Sequence, residues 1–380
     1  MVVYGYHLNR MERIKRMMEK DGLKGIFLID PSSIAYTAGI WTAQTVHWKW
    51  TTVGLLLPRE GEATVICADG PEISRISEET WVRNFKTWSP PLADSPEVSF
   101  TEAVMSAFSE QRLDRGRVGL EFIIPASRYF ELKQRLPDVE FVDVSEKMEN
   151  VMLIKDEEEI ALMRRVAEIA DMGVKAGFDA VNVGMSENEL AGVAEYAMRK
   201  AGMDLIWSST HVSSGYKFQM DRPSSDKLIQ LGDAVKIDVH PAYRLYRNDL
   251  CATAILGTPT SEYRRICDVA IDAAYAMIDA MVPGVTAGDV DKVFRSKMEK
   301  AGLRNFSRWT TGHGLGTGHL PPRMHSKDKT KLQPNMTIDL NAEVIKPGQN
   351  GFMIESMVLM TNEKPELLNK TPLTLVELHR

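Results

Sequence analysis

The second half of this 380-residue chain repeats its own sequence at a spacing of one hundred residues. The matching pairs are Arg164-Arg165 and Arg264-Arg265, Asp179-Ala180 and Asp279-Ala280, Gly184 and Gly284, Val193 and Val293, Met198 and Met298, and Lys200-Ala201-Gly202 and Lys300-Ala301-Gly302. The spacing then grows by one, so that Ile237-Asp238 matches Ile338-Asp339. A tandem repeat of this size predicts two similar units that pack face to face about a pseudo-twofold axis. Their repeated acids would meet in one cleft, which favours the binding of divalent metal.

Length and composition indicate a soluble globular protein with two domains. The hydrophobic fraction of 44% and the charged fraction of 26% are ordinary for such proteins. A net charge of −6 argues against nucleic acid or an anionic membrane as partner, and no apolar run is long enough to span a bilayer. Cys67, Cys251 and Cys267 follow no disulfide or metal spacing, and the N-terminus does not resemble a secretory signal. We therefore expect a cytoplasmic protein.

Strand-like and helix-like segments alternate through residues 1–150, which predicts an α/β domain there. Residues 151–380 are predicted to form an α+β domain of two units, each with two helices followed by strands. Ser186 and Glu189 have the spacing of a capping box, and Thr286 caps the equivalent helix of the second unit. Gly202 and Gly302 are expected to end these helices. The predicted strands are Asp204–Ser213, Ala234–His240 and Leu250–Leu256, then Asn305–Thr311, Met336–Val344 and Phe352–Met360.

Three segments of the second domain combine acids, imidazoles and glycines: Gly232–Asp249, Thr311–Arg323 and Asn335–Glu355. Together they resemble metallopeptidase family M24, which contains methionine aminopeptidase, Xaa-Pro aminopeptidase, prolidase and creatinase. The resemblance covers most of residues 151–380 and implies the duplicated pita-bread fold. The first domain is similar to that of the prolidase and creatinase branch. The resemblance also implies a homodimer.

The same resemblance implies a site for divalent metal. Metal-dependent members of the family hold two ions with two aspartates, one histidine and two glutamates. The matching positions are Asp238 and Asp249, His313, Glu355 and, where the family has its first glutamate, Asn341. Oxygen ligands with one imidazole suit Mn, Co, Fe or Zn. Asn341 supplies only one neutral oxygen, so the ligand set is weaker than that of a two-ion site.

Two further positions depart from the family pattern. His240 takes the place of a small glycine, and it lies two residues from Asp238 on a predicted strand. Both side chains should therefore face the same way, and His240 is a candidate replacement ligand. Asp221 stands where the family's peptidases and creatinase carry a histidine. These departures leave open whether two ions, one ion or none bind.

The remaining site residues follow from the resemblance as well. Glu355 would shuttle a proton, His319 would stabilise the oxyanion, Arg323 would receive a substrate carboxylate, and His211 would line the cleft. The implied activity is that of a metal-dependent hydrolase of the Xaa-Pro dipeptidase or aminopeptidase type, which acts on a dipeptide or small molecule with a carboxylate. One alternative is a non-peptide C–N hydrolase of the creatinase kind, or a lyase, with an altered or absent metal. Another is a binding protein that has lost its activity.

Overall fold

The computed structural model describes residues 4–41, 53–89, 98–307 and 310–379. The chain forms two compact units, Met1–Met152 and Leu153–Arg380. Within the described ranges, every helix is too short or too polar to cross a membrane.

The first unit is built on one mixed six-stranded sheet. Its strands are β1 Gly25–Leu28, β2 Gly54–Pro58, β3 Thr64–Ala68, β4 Asn84–Trp88, β5 Gly116–Leu120 and β6 Val139–Asp143. Its helices are α1 Tyr4–Lys20, α2 Pro31–Ala38, α3 Pro71–Glu79, α4 Phe100–Glu110, α5 Ala126–Arg135 and α6 Ser145–Val151. The strand order is β4-β3-β2-β1-β5-β6, and β1 is antiparallel to β2 and parallel to β5. Strands β1, β2 and β3 bury every residue, which explains their continuous apolar sequences.

A buried carboxylate, Glu121, follows strand β5 of this sheet. One of its oxygens accepts hydrogen bonds from the backbone N–H groups of Ile29 and Asp30, both at 2.7 Å. These bonds tie the end of β5 to the end of β1. Burial of the carboxyl group outweighs the hydrogen bonds and raises the pKa of Glu121 from 4.5 to about 7.

Glu121→Gln is expected to stabilise the first unit at pH 8. A carboxyl group whose pKa rises on folding favours the folded state below pH 4.5, and this contribution is lost as the pH rises through about 7. A glutamine oxygen can still accept both backbone bonds without a buried charge, so the variant should gain about 2–3 kcal/mol at pH 8 and little at pH 4. Calorimetric unfolding at both pH values measures this. The exposed Glu140→Gln change is the control, and an equal effect from both variants would contradict the assignment.

The second unit contains four long helices in two pairs: α7 Glu157–Ala180 with α8 Glu187–Lys200, and α9 Ser261–Ala280 with α10 Ala287–Lys300. The strands that follow the first pair are β7 Leu205–Ile206, β8 His211–Ser214, β9 Ala234–Val239, β10 Pro241–Tyr243, β11 Tyr246–Arg247 and β12 Leu250–Leu256. Those that follow the second pair are β13 Gly312–Leu315, β14 His319–Arg323, β15 Thr337–Val344, β16 Phe352–Leu359, β17 Glu366–Leu367 and β18 Leu375–Leu378. They form sheets of order β18-β12-β9-β8, β14-β13-β15-β16-β17 and β11-β10-β7.

Helix termini of the two pairs are equivalent, as the repeat predicts. The Ser186 hydroxyl accepts the N–H of Glu189, and the Glu189 carboxylate accepts the N–H of Ser186, which is the predicted capping box. Thr286 accepts the N–H of Asp289 at the matching helix. Gly202 and Gly302 follow the helices with φ values of 101° and 72°, a backbone region that favours glycine.

The sheets of the two repeats meet along β12 and β16. The hydroxyl of Thr253 donates to the carbonyl oxygen of Met353 at 2.7 Å, and the Met353 N–H donates back to that hydroxyl at 3.1 Å. This contact places β9 and β12 of one repeat beside β15 and β16 of the other. Asp238 on β9, Asp249 just before β12, Asp339 on β15 and Glu355 on β16 are thereby brought to a common centre.

Two predicted strands differ from the structure. The predicted strand Asp204–Ser213 is not continuous. The chain forms two short strands there, Leu205–Ile206 and His211–Ser214. The prediction of a strand at Asn305–Thr311 is wrong for its described residues: Arg304–Phe306 forms a 3₁₀ turn, and the strand begins at Gly312. Residues 308–309 of the predicted strand lie outside the described residues. The backbone N–H of Ile345 donates to the carbonyl oxygen of Phe306 at 2.8 Å, a distant contact that a local pattern does not reveal.

Candidate active site and metal centre

Strand pairing in the second unit gathers the predicted site residues. On β9, Asp238 lies opposite His211 of β8 and Cys251 of β12. On β15, Asn341 lies opposite Glu355 of β16. Opposed residues present their side chains on the same face of a sheet, so each pair meets. A cavity of about 630 Å³ is lined by His211, Asp221, Asp238, His240, Asp249, His313, His319, Arg323 and Glu355.

Asp238 is a buried carboxylate in contact with a buried lysine. The Nζ of Lys236 lies 3.0 Å from its Oδ2, and Lys236 also donates to the carbonyl oxygen of Met220. Burial favours the neutral acid, but the charges of Lys236 and His240 outweigh it and hold the pKa of Asp238 well below its usual range. Burial likewise opposes the charge of Lys236, yet Asp238 outweighs that effect and raises the lysine pKa. Asp238 and Lys236 therefore form a charged pair that is almost completely buried.

His240 lies between the two aspartates. Its Nε2 is 3.2 Å from Asp238 Oδ1 and 3.3 Å from Asp249 Oδ1, and its Nδ1 is 2.8 Å from the carbonyl oxygen of Ser209. Burial disfavours the protonated ring, but the two carboxylates outweigh it and raise the pKa of His240 to about 9. The same attraction holds the pKa of Asp249 below its usual range, against the effect of burial.

The contact between Asp249 and His313 is longer than the contact between Asp249 and His240. The Nε2 of His313 lies 3.7 Å from Asp249 Oδ2 and 3.8 Å from Asp339 Oδ2. Asp339 is opposite His313 in the β13–β15 ladder and is fully buried. These distances exceed a hydrogen bond. Such distances are typical of side chains that coordinate the same ion.

Glu355 and Asn341 are joined directly. The Asn341 amide donates to one oxygen of Glu355, and both side chains are buried. The amide oxygen of Asn341 accepts no hydrogen bond from any residue that the structure describes. A buried polar atom in this state usually has a water or an ion as its partner.

A stack of rings forms one wall of the cavity. His319 stacks on His313 with ring centroids 4.1 Å apart, and the edge of Trp207 meets His319 at 5.0 Å. His319 is exposed, yet partial loss of water around its ring, with His313 beside it, lowers its pKa to about 3. His319 is therefore neutral at pH 7.

The guanidinium of Arg323 lies at the cavity, where it donates to the carbonyl oxygens of Leu320 at 2.9 Å and His319 at 3.4 Å. These bonds fix the direction of the guanidinium. Asp221 is exposed and also lines the cavity. His211 lies within 3.5 Å of Asp238, so it is part of the same cluster as the acids.

Sequence reasoning missed Lys236, Trp207 and His325. Lys236 precedes Asp238 by two positions on a strand, so the period of two could have placed it beside that acid. Trp207 contacts His240 and His319, but it belongs to no recognised sequence motif. His325 belongs to no recognised motif, yet it lines the cavity because Met324 pairs with Thr311 and Gly312.

The side chains near His313 supply donor atoms that suit a divalent ion. Three groups in the described part of the chain hold ligand atoms within 4.8 Å of one another: His211, Asp238 and His240; Asp249, His313 and His319; and Asp238, Cys251 and Glu355. Burial raises the pKa of the Cys251 thiol well above its usual value, which disfavours the thiolate form. Oxygen and imidazole donors remain at Asp249, His313, Asn341 and Glu355, and such donors bind first-row divalent ions.

The chain matches known families and proteins along its length. The profile of the Metallopeptidase family M24 matches residues 161–362, and that of the Creatinase/Prolidase N-terminal domain matches residues 10–154. The Xaa-Pro dipeptidase of Pyrococcus horikoshii is 30% identical over 68% of this chain and 74% of that protein. The Xaa-Pro dipeptidase of Pyrococcus furiosus is 26% identical over 95% of this chain and 98% of that protein.

Solved structures of similar proteins have the same fold as this chain. The prolidase from Pyrococcus horikoshii superimposes with a TM-score of 0.83 at 25% identity, covering 96% of this chain and 99% of that one. The Xaa-Pro dipeptidase from Bacillus anthracis superimposes with a TM-score of 0.86 at 24% identity, over 98% and 100% of the two chains. The predicted fold class is confirmed, an α/β domain followed by a duplicated pita-bread domain. With its M24 match extending over more than half of its length, the chain belongs to metallopeptidase family M24.

Proposed function

We propose that this protein hydrolyses a C–N amide bond in a small substrate that carries a carboxylate, with an Xaa-Pro dipeptide as the first candidate. Two relatives named Xaa-Pro dipeptidase support this substrate class. The observation that carries the proposal is the cavity in which acids from both repeats, Asp249 and Glu355, face His313, His319 and Arg323. Its volume suits a small molecule rather than a folded protein.

Arg323 and His319 would position the substrate. The guanidinium can bind a carboxylate with two parallel N–H donors, and its bonds to the loop carbonyls hold it at the cavity. His319 is neutral and can donate an N–H to the carbonyl oxygen of the scissile bond. That bond would strengthen as negative charge develops on the oxygen during attack.

Glu355 would move the proton. As the carboxylate, it would accept a proton from the attacking water and deliver it to the departing amine nitrogen. The hydrogen bond from Asn341 fixes the orientation of Glu355 for both transfers. A divalent ion held by Asp249, His313, Asn341 and Glu355 would, when bound, polarise the carbonyl and acidify water. The predicted homodimer and the cytoplasmic location belong to the same proposal.

A substrate series tests the activity. Metal-loaded protein is incubated with Ala-Pro, Ala-Ala and Ala-prolinamide, and the released amino acid or amide is quantified by chromatography. We expect release of proline from Ala-Pro at the highest rate. Intact Ala-Pro together with cleavage of another amide would overturn the Xaa-Pro assignment but keep the hydrolase.

A non-peptide C–N hydrolase is the second candidate, and Lys236 and His240 favour it. Both place protein cations beside Asp238, an arrangement that departs from a two-ion peptidase. N-acylated amino acids and small cyclic amides should be added to the series for this reason. A protein that only binds its ligand would cleave none of these compounds.

Arg323→Met is expected to raise KM for Ala-Pro between about tenfold and 100-fold, because a charge-assisted pair with the carboxylate is lost. The value of kcat should change little. Steady-state kinetics with Ala-Pro and Ala-prolinamide measure the effect, since the amide lacks the carboxylate. Equal losses for both substrates would indicate that Arg323 only maintains the loop.

A further inference from the structure

Two imidazoles and two carboxylates lie close together where strands β8, β9 and β12 meet. The Nε2 atom of His240 is 3.2 Å from Asp238 Oδ1 and 3.3 Å from Asp249 Oδ1. The Nδ1 atom of His211 is 3.5 Å from Asp238 Oδ2. His211, Asp238 and His240 are all buried, and each offers a ligand atom within 4.8 Å of the other two. The four side chains therefore form one compact group of metal-type donors.

Several atoms of this group lack the hydrogen bonds that buried polar atoms normally have. His211 Nδ1, Asp238 Oδ1 and Asp249 Oδ1 are buried and have no hydrogen-bond partner among the residues that the structure describes. The His240 ring approaches both aspartate oxygens, yet neither of them accepts a hydrogen bond. Polar atoms in this state usually have a water or an ion as their partner. The group therefore indicates a bound ligand.

The spacing of the donors favours an ion over a water. Ligand bonds of about 2.1 Å at tetrahedral angles place two ligand atoms about 3.4 Å apart, and a right angle places them about 3.0 Å apart. The distances of 3.2, 3.3 and 3.5 Å fall close to these values. A water at about 2.8 Å from each partner would hold tetrahedral partners about 4.6 Å apart. The donors are too close together for that arrangement.

The surrounding contacts orient two of the donors. The Nδ1 of His240 lies 2.8 Å from the carbonyl oxygen of Ser209. Because a carbonyl only accepts, Nδ1 donates there, which is the usual second contact of a metal-bound histidine. Lys236 holds Asp238 Oδ2 at 3.0 Å, and the edge of Trp207 packs on the His240 ring at 5.0 Å. Nε2 of His240 and Oδ1 of Asp238 are left as the atoms that can bind an ion.

We propose that His211 and His240 are metal ligands. Together with Asp238 and Asp249 they hold one divalent ion in a site of two imidazoles and two carboxylates. An ion bound there takes the place of a proton on Nε2 of His240. Asp249 offers Oδ1 to this site, while its Oδ2 faces His313. Imidazole donors suit zinc, iron, nickel or copper, whereas carboxylate and carbonyl donors suit manganese and magnesium, so we expect zinc or ferrous iron as the ion.

This assignment deepens the proposed function, because it names ligands and a metal class for the same cavity. It does not depend on which amide is cleaved. Both tests below are made without substrate, so a failure of the ligand assignment and a failure of the proposed activity are separate results.

Metal-directed oxidation of the wild-type protein identifies the residues that contact the ion. The full-length protein is stripped with chelator, loaded with two equivalents of CuCl₂ per chain and treated with ascorbate in air, which oxidises side chains bound to copper. Mass spectrometry of the peptides locates the added oxygen. We expect oxidation of both His211 and His240, and none when excess EDTA is present. Oxidation confined to His313 and His319, or no oxidation, would overturn the assignment.

Removing one imidazole at a time measures what each contributes to binding. His211→Gln and His240→Gln should each weaken the tightest Zn²⁺ binding by about 100-fold or more, since losing a residue that only orients a ligand already costs about tenfold to 100-fold. Competition with a fluorescent zinc chelator gives the affinities. The control is His325→Gln, because His325 lines the same cavity but accepts the N–H of Lys327 at 3.2 Å and belongs to none of the ligand groups. It should keep the wild-type affinity.

Unchanged zinc affinity in a folded His211→Gln or His240→Gln protein would contradict the proposal, and so would an equal loss in the control. Wild-type protein that binds no zinc would mean that the group holds only water. If circular dichroism shows that the variants are unfolded, the oxidation map of the wild-type protein decides the question.

Discussion

Replacing Glu355 with glutamine is expected to lower kcat for Ala-Pro hydrolysis by about 10³-fold while KM changes less than about threefold. Glutamine keeps the size of the side chain and can still accept the hydrogen bond from Asn341. It cannot accept and release a proton, so the transfer from water to the departing amine is lost. Steady-state kinetics with free proline as the product measure both constants.

Glu187→Gln is the matched control for this change. Glu187 is also a fully buried glutamate, and its carboxylate accepts from Ser214 and Ser225 outside the cavity. The control should lose stability but not the chemical step. If Glu355→Gln kept more than about a tenth of the wild-type kcat, Glu355 would not be the proton carrier.

Lys236→Met is expected to destabilise the metal-free protein by about 3–5 kcal/mol. Methionine fills the space of the lysine stem, but Asp238 would lose a buried cation at 3.0 Å. A buried charge without its partner is among the most costly changes a core can undergo. Urea unfolding followed by circular dichroism gives the free energy of unfolding of each variant.

The double variant Lys236→Met/Asp238→Asn separates charge from packing. Removing both charges should recover more than half of the stability lost in Lys236→Met. The exposed pair Lys292 and Asp289 is the control, and Lys292→Met should cost less than about 0.5 kcal/mol. A loss below about 1 kcal/mol for Lys236→Met would mean that Asp238 does not depend on this lysine for its charge.

Much of the fold follows from the duplication. The capping box at Ser186, the matching cap at Thr286 and the glycines after both helices are local signals, and the structure contains all of them. The period of two along strands also predicts that Asp339 and Asn341 lie on one face of β15, so the sequence indicates which residues surround the site. The roles of these residues stay predictions.

Other features depend on contacts that are distant in sequence. The turn at Arg304–Phe306 replaces a predicted strand because its backbone pairs with Ile345. Apart from Lys236 and Asp238, strand β9 is apolar, and a lysine in a strand usually indicates an exposed edge rather than a buried ion pair. The sequence indicates that Asp238 is its partner, but it does not indicate that the pair is buried.

The most direct test of the proposed hydrolytic centre is proline release from Ala-Pro by chelator-stripped protein, before and after addition of MnCl₂. Wild-type protein should turn over only after reloading, and Glu355→Gln should stay near background in both states. Reloaded wild-type protein that carries its metal and leaves Ala-Pro and every other amide of the series intact would contradict a hydrolytic centre in this cavity.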